Sequence, residues 1–306
     1  MFPGHIIILK RPGKPGRFFY SCFPRLKRQI KGMPELPEVE TVKRGLAPAM
    51  EGVEIERLTL NRGDLRFPLP NDFTQVMQGA TITHLGRRGK YLVLKTNRDR
   101  FAIIHLGMSG SFRVEGAQTR SSKPHDHVIF TMSGGAVITY NDPRRFGFMQ
   151  LCDDLDAYPP FQVMGPEPWD MTAEALTKAL RGKNTPIKTA LLDQSVVAGL
   201  GNIYVCEALM MAGISPRRMA GTIKGVRAQR LCDSIHIVLD KAIKAGGSSL
   251  NDHRQTDGQM GYFQHHFLAY DREGEICPIC PPETGATISK ITQSGRSTFF
   301  CPSHQR

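Results

Sequence analysis

The chain has 306 residues, 40% hydrophobic and 22% charged, with a formal net charge of +12. That length accommodates two domains of ordinary size, and no apolar run approaches the roughly 18–20 residues that cross a bilayer, which argues against a helical membrane protein. The basic balance points to an anionic partner such as nucleic acid, but it is lopsided: residues 1–32 carry eight Lys/Arg and no acid, and removing those eight from +12 leaves +4 for the rest.

Residues 1–32 show no sustained periodicity, and disorder is expected there. After Pro37, "EVETVKRGLAPAM" places Val39, Val42, Leu46 and Met50 at helical spacing behind a Pro/Glu start. Strand-like runs follow at 53–60, 80–85, 90–96 and 101–107, and "HVIFTM" and "AVITYND" flank Ser133-Gly134-Gly135 as a hairpin. The proline-rich stretch "AYPPFQVMGPEPWD" reads as a linker. Beyond it the pattern turns helical: Leu231, Ile235, Val238, Leu239 and Ala242 mark an amphipathic helix stopped at Gly246-Gly247. The seven Cys are an odd number without a secretory signal, which favours a reducing compartment. Cys22, Cys152, Cys206 and Cys232 are scattered and are expected as buried thiols.

Three local patterns carry chemistry. In the tail, Cys277-x2-Cys280 and Cys301-x2-His304 are two knuckles separated by twenty residues. Each tight turn aims two ligands at one ion, the arrangement of a structural zinc site, and a hairpin this short would draw its folding energy from the metal. Arg296, just before "STFFC", could read a phosphate from the hairpin tip. In "TPIKTALLDQSVVAGLGNIYVCEALMMAGISPRR" two helical runs are separated by "VAGLGN", with Asn202 expected to cap the second. Amides at such a start form a phosphate site. Third, "GMPELPEVE" at Gly32–Glu40 reads like the beginning of a protein. If Met33 is an initiator that is removed, Pro34 becomes a free secondary amine with a pKa near ~7.7–8.0, nucleophilic at neutral pH. Its attack on a sugar carbon gives an iminium, with Glu35 placed as general acid or base.

The stretches "MPELPEVE", "GRRGKYL", "HLGMSGSFRV", "HDHVIF", "YNDPRRFG", "GPEP", "IKTALLDQ", "GLGNIY", "AGISP" and "TDGQMGYF", together with the Cys tail, fall in register from Met33 to the end. The set resembles the formamidopyrimidine-DNA glycosylase (Fpg/MutM) family; Leu36 favours this branch over endonuclease VIII relatives, which look like PEGPE at the start. The resemblance implies a two-domain α+β fold: an N-terminal β-sandwich with flanking helices over 33–157, a hinge at 158–170, a helix-two-turn-helix DNA-binding domain over 171–269 and a zinc β-hairpin over 270–306. It implies a monomeric bacterial enzyme, cytoplasmic at the nucleoid, that removes oxidised purines from double-stranded DNA through a Schiff base and then cleaves the abasic site by β,δ-elimination. One structural zinc and no redox cofactor are implied.

Carried residue by residue, the resemblance makes Pro34 the nucleophile, Glu35 its acid–base partner and Lys90 a catalytic lysine. His105, Lys188, Asn202 and Arg296 would grip backbone phosphates. Met108, Arg144 and Phe146 would enter the duplex where the damaged nucleotide leaves, offsetting the lost stacking. A loop containing Thr256, Asp257, Gly258, Gly261 and Tyr262 would close over the flipped purine, and Cys277, Cys280, Cys301 and His304 would hold zinc. The sequence departs from the family pattern at His304, which replaces a Cys, at Gln259-Met260 in the loop, and in residues 1–32. With those 32 residues attached, Pro34 nitrogen is an amide and cannot form an iminium. Two origins are weighed: a segment outside the translated protein, or an organelle-targeting peptide cut near Gly32-Met33. A third reading keeps the segment as a DNA-binding arm on a protein without lyase activity. The alternatives are an endonuclease VIII-like enzyme for oxidised pyrimidines and a non-catalytic damaged-DNA-binding protein.

Overall fold

The computed structural model describes residues 33–248, 256 and 261–306; the expectations for residues 1–32 and for Asp257, Gly258, Gln259 and Met260 lie outside them. The chain opens with α1 (Leu36–Met50), whose Val39, Val42, Leu46 and Met50 are all buried, as the helical spacing requires. There follow β1 (Ile55–Leu60), the short α2 (Phe73–Met77), β2 (Ile82–Arg88), β3 (Tyr91–Thr96), β4 (Phe101–His105), β5 (Ser111–Gly116), β6 (Asp126–Met132), β7 (Ala136–Asn141) and β8 (Phe148–Cys152).

These strands form two four-stranded antiparallel sheets, in the orders β1-β6-β7-β5 and β2-β3-β4-β8. The predicted hairpin is present, with Phe130 opposite Ile138. Leu58, Phe130 and Ile138 of one sheet and Leu85, Leu94 and Ile104 of the other share a single apolar core with α1, which makes the pair a β-sandwich. Strands β5 and β8, at one edge of each sheet, were not foreseen; their glycine-flanked runs "GSFRVEG" and "FGFMQL" are broken by the loops they bracket.

The proline-rich linker holds the one-turn α3 (Pro159–Gln162) and a 3-10 turn at Pro168–Asp170. After it come α4 (Ala173–Leu180), α5 (Ile187–Leu192), α6 (Asn202–Met211) and α7 (Val226–Lys244). The last of these ends at Gly246 and Gly247, both at positive φ (75° and 78°). A second core, running from Met171 through α4–α7 to Cys301, is separate from the sandwich core. Two cores define a two-domain α+β fold. Within the helical core α5 and α6, joined by the turns of residues 193–201, form the helix-two-turn-helix region. The chain closes on an antiparallel hairpin, β9 (Ser289–Gln293) and β10 (Arg296–Phe300). Cys206 and Cys232 are buried and Cys152 is half-buried. No helix among the described residues is long and apolar enough to cross a membrane.

Candidate active site and DNA-facing surface

Pro34 and Glu35 lead into α1 and are both buried where the helical half of the molecule meets the sandwich. Glu35 projects onto the amino end of α6, where its carboxylate accepts hydrogen bonds from Ile203 N (3.0 Å) and Tyr204 N (3.4 Å). The cap of α6 is Gly201, and Asn202, expected in that role, is the first helical residue. The reason is steric and electrostatic. Glu35 supplies the acceptor that a capping side chain would otherwise provide, and it reaches the helix only because residue 201 has no side chain: a Cβ there would stand 2.2 Å from Glu35 Cδ.

Burial dominates the Glu35 carboxyl and pushes its pKa up to about 7, against the pull of Lys90 and of the two amides. Such a group can both give and take a proton near neutrality. Its neighbour Glu38, also buried, accepts from Glu35 N (2.9 Å) through Oε2. Through Oε1 it accepts from Tyr204 Oη, Ser248 N (2.7 Å) and Ser248 Oγ (2.8 Å). Glu38 thus ties the start of α1 to α6 and to Ser248.

Lys90 sits in the β2–β3 turn and is 7% exposed. Burial lowers its pKa, the Glu35 carboxylate raises it, and Arg296 at the hairpin lowers it again. These three residues, from three separate parts of the chain, therefore share one electrostatic site. The turn that carries Lys90 is clamped by Glu167 of the "GPEP" segment. Its carboxylate accepts from Arg87 Nη1 (2.7 Å), Arg88 Nη1 (3.0 Å) and Gly89 N (2.7 Å). Arg87 also donates from Nε to Glu40 of α1 (3.0 Å). Sequence reasoning missed Glu38 and Glu167 as site residues; the only signal was their place inside the stretches "MPELPEVE" and "GPEP".

His105 ends β4, stacked on Phe148 with ring centroids 5.3 Å apart. Gly107 N donates to its Nδ1 (3.1 Å), so the ring proton sits on Nε2. Burial, with Lys90 and Arg66 nearby, pushes its pKa down to about 4; His105 is a neutral donor at physiological pH. Beyond it, Met108 is half-buried, Arg144 is exposed, and Phe146 is 43% exposed with the Arg144 guanidinium 4.7 Å above its ring.

Lys188, expected to grip a backbone phosphate, is fully buried at 0% exposure. Its Nζ donates to Thr298 Oγ1 (2.7 Å) and to Ser297 O (3.0 Å) of β10, and burial lowers its pKa. Asn202 Nδ2 donates to the same Ser297 carbonyl (3.0 Å), while its Oδ1 is buried without a partner among the described residues. The strand behind Arg296 is thereby fixed to α5 and α6, and Arg296 itself is exposed at the hairpin turn. Of the expected capping loop, Thr256 is buried and its carbonyl accepts from Val114 N of β5 (3.0 Å). Gly261 is buried and Tyr262 is 60% exposed.

The ligand atoms of Cys277, Cys280 and Cys301 lie within 4.8 Å of one another, a cluster that could hold a metal ion. His304, expected as the fourth ligand, is not among them: its Nε2 is 2.9 Å from Met210 O. The tail after Cys301 is drawn toward α6, because Gln305 accepts from Cys301 N (2.8 Å) and donates to Ile214 O (2.9 Å).

The sequence profile of the formamidopyrimidine-DNA glycosylase N-terminal domain matches residues 33–149, and that of the helix-two-turn-helix domain of the same enzymes matches residues 164–254. This chain belongs to the formamidopyrimidine-DNA glycosylase family. It is 53% identical to the formamidopyrimidine-DNA glycosylase of Beijerinckia indica over 290 residues, covering 90% of this chain and 100% of that one. The enzyme of that name from Afipia carboxidovorans is 53% identical over 296 residues with the same coverage. Among solved structures, the Lactococcus lactis Fpg in complex with abasic-site DNA superposes with a TM-score of 0.79 at 35% identity, covering 89% of this chain and 100% of that one. The glycosylase family thus accounts for both cores and for the segment that begins at Met33.

Proposed function

We propose that this chain excises oxidised purines, 8-oxoguanine and formamidopyrimidines, from duplex DNA and then cleaves the resulting abasic site. The observation that carries the reading is the buried Glu35 carboxyl, held near neutral pKa beside Lys90 and directly following Pro34. With Pro34 as a free amine, its lone pair attacks C1′ of the damaged nucleotide. The C1′–N bond breaks with its electron pair leaving on the base, and the amine gives up its N–H proton. The C1′–O4′ bond then opens, O4′ takes a proton, and an iminium forms between Pro34 and C1′ of the opened sugar. Glu35 moves the protons, and the iminium acidifies the C2′ hydrogens so that β- and then δ-elimination release the two flanking phosphates. Neutral His105 donates from Nε2, and exposed Arg296 supplies positive charge to the DNA backbone. Lys188 acts by fixing β10 behind Arg296.

In the 306-residue chain Pro34 nitrogen is bonded to Met33, so the active form begins at Pro34. We infer also a single structural zinc at Cys277, Cys280 and Cys301, with His304 as fourth ligand. Three clustered thiols suit zinc, and a ligating imidazole that gives its other N–H to a carbonyl is the usual arrangement; the Nε2 contact of His304 with Met210 is of that kind, although neither ring nitrogen stands with the three thiols here. No reaction step runs through this ion. We infer also that the working protein is a monomer, and its bacterial relatives favour the bacterial cytoplasm.

Borohydride trapping tests the chemistry. The chain beginning at Pro34 becomes covalently linked to an 8-oxoguanine:cytosine duplex, whereas the full 306-residue chain does not. Absence of a trapped complex with the shorter chain would exclude the lyase. Preferential trapping on a thymine-glycol duplex would shift the substrate to oxidised pyrimidines.

A further inference from the structure

We propose that Asp142 is a positioning residue that sets Met108, Arg144 and Phe146 in register as a single wedge, an inference that rests on the duplex-repair reading above. Asp142 follows β7, is fully buried at 0% exposure, and serves both loops that present those side chains. On one side, Oδ1 accepts from Ser109 Oγ (2.5 Å), the residue after Met108. On the other, Oδ2 accepts from Gly147 N (2.8 Å), the residue after Phe146, and from Tyr140 Oη (3.2 Å). Its own carbonyl accepts from Arg145 N (3.2 Å), closing the turn that carries Arg144, and lies 2.9 Å from His127 Nε2. Ser109 Oγ completes the link by accepting from Arg144 N (3.1 Å). The one hydroxyl therefore donates to Asp142 and accepts from the opposite loop.

The loops are close enough for this only because three positions lack side chains. A Cβ on Gly107 would lie 2.2 Å from Phe146 C, and Cβ atoms on Gly110 and Gly147 would lie 2.4 Å and 1.8 Å from Tyr140 Oη. An acceptor-only carboxylate matches the site because Ser109, Gly147 and Tyr140 all present donors to it. An amide of the same shape places an NH2 group against at least one of them. Without Asp142 the wedge side chains remain in the molecule, but the distance and angle between the two loops are no longer fixed. The loss falls on the step that pushes a base out of the stack.

The experiment compares Asp142→Asn and Ser109→Ala with wild type in the chain beginning at Pro34. Excision of 8-oxoguanine from a duplex needs extrusion, whereas incision at a preformed abasic site has no base to extrude. Asp142→Asn is expected to lower excision by about ten-fold or more while changing abasic-site incision by less than about two-fold. Ser109→Ala, which removes only the bridge, should show the same split at smaller size and keeps the test decisive if Asp142→Asn does not fold. A 2-aminopurine placed next to the lesion reports unstacking directly, and its fluorescence rise on binding should diminish in both variants. Equal losses in excision and incision, or unchanged excision and fluorescence in folded variants, would overturn the proposal. A wild-type chain that unstacks the duplex without cutting it refutes the chemistry alone, and the fluorescence comparison then still decides the role of Asp142.

Discussion

Glu35 converts its surroundings into a measurable pH dependence. Its carboxyl titrates at about 7 in the folded chain against 4.5 ordinarily. The folded state therefore holds a proton that the unfolded state has released. The associated stability is full below pH 4.5, declines above it and is lost as the pH rises through about 7, for a total on the order of 3 kcal/mol. Glu35→Gln cannot ionise, so its Tm should gain on wild type between pH 5 and pH 7 and then level off, and parallel melting curves from pH 5 to pH 7 would contradict the assignment. In a chain beginning at Pro34, a cationic amine next door would draw the Glu35 value down. Gly201→Ala makes the steric case. The added methyl displaces Glu35 from α6, costing about 1–3 kcal/mol as an overpacked site does and abolishing trapping on lesion DNA. Pro34, Glu35 and Lys90 were legible because each sits in a distinctive short motif. Glu38, Asp142 and Glu167 were not, since a carboxylate in a helix start or turn looks like surface charge until the second loop or domain arrives to bury it.

Among the elements, the β2–β3 turn depends on Glu167 in the linker. Arg87 and Arg88 both turn their guanidinium groups to this carboxylate, and the Arg87 side chain is only 9% exposed. Glu167→Ala leaves Arg88 without a carboxylate and Arg87 with Glu40 alone, and should destabilise the protein by about 3 kcal/mol, as loss of one partner in a largely buried pair does. Thermal melts measure that cost, and trapping yield reports whether Lys90 moves with its turn. The hairpin is held at two points, the Cys cluster at one end and the Lys188 and Asn202 bonds to Ser297 at the other. Chelation should therefore lower Tm and DNA affinity together, with elemental analysis giving one zinc per chain before treatment and none after. His304→Ala should reduce that stoichiometry or the rate at which zinc is retained. Helices α1, α5, α6 and α7 and the first four strands could be read from the sequence pattern, whereas the short α2, α3 and α4 could not. The cap of α6 could not, because its acceptor comes from the far end of the sequence.

For the molecule as a whole, the two cores followed from the change in periodicity at the proline-rich linker, but the joint between them did not. A site assembled from Glu35, Lys90 and Arg296 exists only once the domains meet. Charge behaves differently at this scale. Eight of the Lys/Arg residues and no acids lie in residues 1–32, so the full chain should bind undamaged duplex with a steeper salt dependence than the chain beginning at Pro34, each phosphate neutralised adding about −0.9 to the logarithmic slope. Equal slopes would show that this segment does not touch DNA. The shared carboxylate of Glu38 carries a different kind of consequence. Four donors from three residues, Glu35 N, Tyr204 Oη, Ser248 N and Ser248 Oγ, converge on it, the last two residues far away in the sequence. Mutations at positions 38, 204 and 248 therefore have fitness effects that depend on one another. A lineage that drifts at one of them is committed to compensate at the others, and positions far apart in the gene evolve as a single unit.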